Sequence, residues 1–165
     1  MAYDENRSLS LRMYVPSTGA AEKLPVMVYF HGGGFCLGSF AMPDVHDACL
    51  RLAAELPAVV LSVDYRLAPE HRLPAALDAI HALFSWLRGQ AAAPDACLVG
   101  PEDFGRVFVS GDSADANIAQ HVAVRVGSAR STPAWSGSPA TCSSGRSSAA
   151  SGGRRPRRRA RMTCS

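Results

Sequence analysis

Two short motifs hold residues that could carry out acyl transfer, and the first contains Ser113. Gly111-Asp-Ser-Ala-Asp115 lies between a predicted buried strand and a predicted helix, where Gly-x-Ser-x-Gly forms a nucleophile elbow. There the serine hydroxyl projects above the carboxyl end of the sheet, and the following helix N-terminus adds partial positive charge where an oxyanion develops. On this pentapeptide alone, an ordinary strand-to-helix turn is an equal alternative.

The second motif, His31-Gly-Gly-Gly-Phe35, follows directly on a predicted strand that ends at Phe30. Three successive glycines leave backbone N–H groups free to approach a carbonyl oxygen, and a loop of this sequence forms the oxyanion hole that accompanies the elbow. A glycine run by itself could be a flexible turn. The two motifs in this chain order, each at the end of a buried strand, favour serine hydrolase chemistry.

The elements that must position these motifs alternate along the chain. Short apolar or alternating runs predict strands, and apolar residues at helical spacing predict helices. We therefore predict the α/β class, with a largely parallel sheet and flanking helices. The predicted strands cover residues 10–15, 25–30, 58–64 and 106–110, and the predicted helices cover residues 43–56, 74–89 and 114–126.

Three longer blocks extend the two motifs and carry a resemblance to a known family. The blocks Tyr29–Gly38, Asp64–Ala76 and Gly111–Ala119 are similar, in sequence and order, to blocks of plant carboxylesterases, in the hormone-sensitive-lipase-like group that also contains the gibberellin receptors. The resemblance covers about residues 10–126. It implies an α/β-hydrolase fold and a serine esterase mechanism that acts on small carboxylic esters through an acyl-enzyme.

The same resemblance implies a role for individual residues. Ser113 corresponds to the nucleophile, and the N–H groups of Gly33, Gly34 and Ala114 correspond to the oxyanion hole, within a motif that begins with His31 and Gly32. The Asp64–Ala76 block corresponds to a packing and loop-bracing segment, so His71 is not expected to be the general base. No metal and no cofactor are expected.

The chain departs from this family after the elbow. The family's catalytic Asp and His follow the serine, but here the last acidic residue is Asp115 and the last histidine is His121, on the predicted elbow helix. Asp115 also stands where the elbow has glycine. We therefore expect a partial fold, the N-terminal half of the sheet, with no or weak esterase activity. The alternative is a non-catalytic small-molecule binding protein of the gibberellin-receptor type. The presence of Gly34 and Ser113 argues against this alternative.

The last part of the chain differs sharply in composition from the rest. Residues 1–130 contain all 14 acidic residues and 10 of the 17 basic ones, whereas residues 131–165 contain seven arginines, no acid and no Leu, Ile, Val, Phe or Tyr. We predict a domain over residues 1–130 and a disordered Arg/Ser/Gly/Pro-rich tail over 131–165. A changed reading frame is one hypothesis for this break. A nucleic-acid-binding or nuclear-localisation tail at residues 154–161 is a less favoured one.

Cysteine spacing and apolar runs bound the setting and the partners. Five scattered cysteines form no Cys-x-x-Cys pair, which argues against a disulfide framework and a zinc site. The polar N-terminus and the lack of a long apolar run predict a cytoplasmic chain with no membrane partner. The expected partner is a small ester. Self-association is also expected, through strand residues 106–110 exposed as a sheet edge.

Overall fold

The structure is a computed structural model that describes residues 1–17, 23–95, 100, 102–111, 113, 117–122 and 124, and the backbone of residues 140–141 and 160–163. Strands and helices alternate through its middle part, as the sequence predicts. The elements are β1 (Ala2–Asp4), a 3-10 helix (Glu5–Arg7), β2 (Leu9–Pro16), β3 (Leu24–Phe30), α1 (Pro43–Glu55), β4 (Val59–Val63), α2 (Ala75–Ala92), β5 (Glu102–Gly111), helical residues 117–122 and 124, β6 (Ala140–Thr141) and β7 (Ala160–Thr163).

The strands form one mixed sheet, with β3 in its centre. Within the described residues the order is β1-β2-β4-β3-β5-β6, and β7 also pairs with β2. Strand β3 is parallel to β4 on one side and to β5 on the other, while β2 is antiparallel to β1, β4 and β7. The α/β class expected from the sequence is confirmed, and the parallel part of the sheet is the part that carries both motifs.

The two faces of the sheet bury different residues, because side chains alternate along each strand. In β3, Val26, Val28 and Phe30 lie in the larger apolar cluster, which includes five buried residues of α2. Met27 and Tyr29 pack instead against the smaller cluster, which includes the α1 residues Val45, Cys49 and Ala53 with Tyr14 and Val60. The sheet is therefore packed between helices on both faces, which agrees with the complete burial of all five residues of β4.

Helix α2 extends beyond its predicted end at Gly89, to Ala92. Gln90 accounts for the extension: its buried side chain donates from Nε2 to Asp95 Oδ2 (2.8 Å), and its Oε1 accepts from the Asp95 backbone N–H (2.7 Å). These two bonds satisfy the buried Gln90 side chain and tie the last turn of α2 to Asp95.

The outer side of β5 is partly covered, which differs from the expectation of a fully exposed edge. Phe108 and Val109 pair with Ala140 and Thr141 of β6, and the rest of the strand has no described partner on that side. An open edge accepts any extended segment that brings free N–H and C=O groups to it. Most of residues 131–165 lie outside the described residues, so that the boundary at residue 130 and the disordered tail stay predictions.

Candidate active site

The two motifs meet at one edge of the sheet, because their strands are neighbours. Strands β3 and β5 pair in parallel, and the last pair of their ladder is Phe30 with Gly111. The oxyanion motif starts at the next residue of β3, His31, and Ser113 lies two positions beyond Gly111. Neighbouring strands lie about 4.8 Å apart. The pairing therefore brings together the two motifs that the sequence predicted to act together.

Ser113 adopts the backbone conformation that a nucleophile elbow needs. Its φ is +66°, in the left-handed region that residues with a side chain rarely adopt, and the residue is exposed. Residues 117–122 are helical, and Ile118 and Val122 are buried in the larger apolar cluster. Their burial anchors this helix against the sheet. Strain held in place between a strand and an anchored helix is typical of functional turns.

The oxyanion loop contains a run of left-handed residues. The φ angles are +125° at Gly33, +62° at Gly34 and +64° at Phe35. The Gly33 carbonyl accepts from the backbone N–H groups of Cys36 (3.1 Å) and Leu37 (3.0 Å), which closes the loop into a turn. A Cβ at Gly33 would collide with the Leu37 carbonyl. The loop is therefore defined by its own backbone bonds and requires glycine at its first left-handed position.

The backbone N–H groups of Gly33 and Gly34 lie in an exposed part of the loop, and neither N–H donates to any acceptor among the residues that the structure describes. Two adjacent unpaired N–H groups at the carboxyl end of a central strand can stabilise an oxyanion. The third predicted donor, the N–H of Ala114, and the altered elbow residue Asp115 lie outside the described residues, so that their roles stay predictions.

His31 is a buried structural residue of the loop, and Tyr65 is the functional candidate that the motifs missed. His31 is 1% exposed, and its Nδ1 lies 2.8 Å from the Gly32 carbonyl oxygen. The ring of Tyr65 stacks on the imidazole, and its hydroxyl donates to the His31 carbonyl oxygen at 2.6 Å. The only signal in the sequence was the position of Tyr65 within the Asp64–Ala76 block.

Burial governs the electrostatics below the loop. Asp64, at the carboxyl end of β4, is half-buried, and this burial raises the pKa of its carboxyl group. A hydrogen bond from the Tyr65 backbone N–H (3.1 Å) and the nearby His31 ring act in the opposite direction, towards a lower pKa. Asp64 thus adds a partly desolvated carboxyl group just after β4, the strand adjacent to β3.

No general base is in place for Ser113 within the described part of the chain. His121 is exposed on the helix that follows the serine, and no hydrogen bond joins Ser113 to a histidine among the described residues. His46 is engaged elsewhere, since its Nδ1 lies 3.0 Å from the Tyr14 hydroxyl on the α1 side of the sheet. His71 is exposed in the loop before α2. The described residues therefore supply the predicted elbow and the predicted oxyanion loop without a base.

A cavity of about 330 Å³ lies beside the oxyanion loop, between the loop and the start of α1. Its wall combines loop glycines with Tyr29 and Asp44, and Leu37 (73% exposed) and Met42 (41% exposed) also line it. This volume suits a small organic group. Among the residues described, no group of three or more His, Cys, Asp or Glu could hold a metal ion, and no helix is both long and apolar enough to cross a membrane.

Comparison with known proteins identifies the class. A family profile for the alpha/beta hydrolase fold matches residues 27–148. Probable carboxylesterases 8 and 6 of Arabidopsis thaliana are 44% and 46% identical, over 74% and 76% of this chain. Tuliposide A-converting enzyme 2, chloroplastic, of Tulipa gesneriana is 40% identical over 74% of the chain. The chain belongs to the α/β-hydrolase fold family, and its curated relatives include plant carboxylesterases.

Solved esterase structures share the described fold. The hyperthermophilic esterase of the archaeon Pyrobaculum calidifontis matches with a TM-score of 0.59 and 42% identity, over 74% of this chain and 36% of that one. A thermostable carboxylesterase from a metagenomic library matches with a TM-score of 0.59 and 34% identity, over 74% and 38%. The chain spans about 40% of the length of its curated relatives. The resemblance to plant carboxylesterases is thus confirmed.

Proposed function

We propose that this chain carries the acyl-accepting part of a serine carboxylesterase that acts on small carboxylic esters. The observation that carries the proposal is the left-handed backbone of Ser113 together with its position. Ser113 lies two residues beyond Gly111, which pairs with Phe30 at the end of β3, directly before the oxyanion loop. Ser113 is the nucleophile. The N–H groups of Gly33 and Gly34, with that of Ala114, are the oxyanion donors.

The reaction proceeds by acyl transfer to Ser113. The Oγ atom attacks the ester carbonyl carbon, and the carbonyl electron pair moves onto the oxygen, where the loop N–H groups bind it. Collapse of this intermediate breaks the bond to the alcohol oxygen, which takes up a proton from solvent. Water then hydrolyses the acyl-serine. Without a histidine base, solvent must accept the serine proton, so that we propose weak activity for this chain.

The reaction can be tested by following the acyl group itself. The purified chain is incubated with p-nitrophenyl acetate, while p-nitrophenolate release and the intact mass are recorded. We expect slow acetylation that peptide mapping places at Ser113, and none in Ser113→Ala. Ser8→Ala is the matched control, because Ser8 is also exposed and left-handed (φ +54°). A wild-type chain with no adduct at Ser113 would contradict the acyl-serine proposal, and rapid turnover would contradict the weak activity.

A second candidate function is the binding of a small molecule without catalysis, as in the gibberellin receptors. The cavity beside the loop, with the polar residues Tyr29 and Asp44 in its wall, is the observation that favours it. A small carboxylic acid that raises the melting temperature of wild type and Ser113→Ala equally, in a chain that forms no acyl adduct, would support this alternative.

The cytoplasm is the location that we propose. The tulip relative is named as chloroplastic, so that location has to be measured for this chain. A carboxyl-terminal fluorescent fusion in plant cells distinguishes the two: diffuse cytoplasmic signal supports the proposal, and plastid signal contradicts it.

A further inference from the structure

Tyr65 touches the oxyanion loop through both its hydroxyl group and its ring. It is 2% exposed, and its hydroxyl donates to the backbone carbonyl of His31 at 2.6 Å. Its ring stacks on the His31 imidazole, with 4.4 Å between centroids and 15° between planes. One side chain therefore restrains both the backbone and the ring of His31.

His31 passes this restraint on to the proposed oxyanion donor. A carbonyl oxygen only accepts, so the 2.8 Å contact between His31 Nδ1 and the Gly32 oxygen requires the proton on Nδ1. The Gly32 carbonyl and the Gly33 N–H belong to one planar trans peptide, in which they point in opposite directions. The bond that holds the Gly32 oxygen therefore also sets the direction of the Gly33 N–H.

The space for this hydrogen bond is provided by Gly38. A Cβ at Gly38 would lie 2.7 Å from His31 Nδ1 and 2.8 Å from the Gly32 oxygen, which is closer than packed atoms approach. Gly38 also has a φ of +99°, a backbone conformation that residues with a side chain rarely adopt. The loop closes around the His31–Gly32 contact.

The far side of the loop is held by the same segment. The ring of Phe35 meets Tyr65 edge-on, with 6.4 Å between centroids and 70° between planes. The backbone N–H of Ala68, three residues after Tyr65, donates to the Phe35 carbonyl at 2.8 Å. The segment after β4 thus contacts the oxyanion loop before and after its exposed glycines.

We propose that Tyr65 is a positioning residue for the oxyanion hole, which acts through His31 on the direction of the Gly33 N–H. This inference rests on the proposed function, since it assigns the Gly33 N–H to an oxyanion. Removal of the hydroxyl leaves the ring in place but frees the His31 carbonyl. One buried hydrogen bond of this kind corresponds to a change of about three- to tenfold in a rate.

The test compares Tyr65→Phe with Tyr14→Phe. Tyr14 is the matched control, because it is fully buried and its hydroxyl also contacts a histidine, His46, but on the α1 side of the sheet. The first readout is the acetylation of Ser113, recorded over a range of p-nitrophenyl acetate concentrations. The second is ¹⁵N NMR of histidine-labelled protein, which reports the Nδ1–H tautomer of His31 without any reaction, with His31→Gln to assign the signal.

In Tyr65→Phe we expect a maximal acetylation rate about three- to tenfold lower, an unchanged half-saturating ester concentration, and a smaller Nδ1–H fraction at His31. Tyr14→Phe should match wild type in all three. An unaltered His31 signal in Tyr65→Phe would overturn the proposal, and so would equal effects in Tyr14→Phe. If the wild-type chain is never acetylated, the proposed function fails, and the His31 signal alone decides the role of Tyr65.

Discussion

The carbonyl oxygen of Leu37 occupies the position that a Cβ at Gly33 would need. The collision involves backbone on both sides, so no side-chain rotation can relieve it. Gly34, the next residue, is also left-handed, but a Cβ there would meet nothing within 4 Å. Gly33 is therefore required for steric reasons, because a side chain does not fit there. At Gly34 a side chain fits, and only the left-handed backbone favours glycine.

We predict that Gly33→Ala is much more damaging than Gly34→Ala. Gly34→Ala should lower stability by about 1 kcal/mol, the cost of a left-handed alanine, whereas Gly33→Ala should lower it by about 3 kcal/mol or more, because the turn to Cys36 and Leu37 must open. Urea unfolding at one fixed protein concentration measures both. Equal midpoints for the two variants would contradict the role of the Leu37 carbonyl.

Replacement of the strained serine should exchange function for stability. Ser113→Gly relieves the positive φ and is expected to stabilise the chain by about 1 kcal/mol, while it removes the acylated hydroxyl. Ser8→Gly relieves a similar φ at an exposed site and should stabilise by a similar amount with acetylation intact. Thermal unfolding and intact mass measure the two effects. A destabilised Ser113→Gly would show that the turn is not strained.

Adjacent carboxyl groups at the start of β5 should show opposite pH dependence. Glu102 is 4% exposed, its Oε2 has no hydrogen-bond partner among the described residues, and burial raises the pKa of its carboxyl group. The carboxyl group of Glu102 binds a proton more tightly in the folded protein than in the unfolded one. The stability of the fold therefore decreases as pH rises from about the ordinary pKa of glutamate through the raised pKa of Glu102. Asp103 bonds Arg106, and this partner lowers the pKa of its carboxyl group.

We therefore predict that Glu102→Gln is more stable than wild type at pH 7, because a neutral amide is less costly to bury than a carboxylate. The decrease in stability with rising pH that Glu102 causes in wild type should be absent in this variant. Asp103→Asn should be slightly less stable above the ordinary Asp pKa, by less than about 1 kcal/mol since the ion pair is exposed. Urea midpoints from pH 3.5 to 8 give both curves. A Glu102→Gln curve parallel to wild type would contradict the assignment.

The chain should associate through the outer side of the sheet. Among the described residues, only Phe108 and Val109 of β5 pair with β6. The half-buried side chains of Met27, Tyr29 and Phe108, which is paired with Met27, add apolar surface on the α1 side. We expect oligomers in light scattering and binding of the dye ANS. Phe108→Lys, which leaves the buried Val107 and Val109 in place, should reduce both. A wild-type monomer that unfolds cooperatively and binds no dye would contradict this prediction.

The basic tail can be tested separately from the domain. The cluster at residues 154–161 contains six arginines and no acid, a composition that favours phosphate contacts. If it directs the chain to the nucleus or to nucleic acid, removal of residues 131–165 from a fluorescent fusion shifts the signal towards the cytoplasm, as replacement of the six arginines by serine also should. An unchanged distribution in both variants would remove this interpretation.

Local sequence predicted most elements close to their observed bounds, and it failed where side-chain identity was a weak guide. Strand β1 was missed, because three residues are too few for a pattern. In α2, helical spacing alone predicts Leu77 and Phe84 on the core face. They are half-buried and pack against the edge of the larger cluster, while Ala79 and Leu83 are fully buried. Periodicity identifies a helix reliably, but the exact face that it buries depends on the sheet beneath it.

By itself the sequence determined the chemistry of the two motifs: three glycines after a buried strand, and Ser113 between a strand and a helix, each a property of a few adjacent residues. The tertiary structure alone decided that Phe30 lies opposite Gly111, and that Tyr65 stacks on His31 and holds its carbonyl. The reason is physical. Backbone conformation and side-chain alternation depend on near neighbours, whereas the choice of partner strand depends on contacts between residues far apart in the chain, which no local pattern encodes.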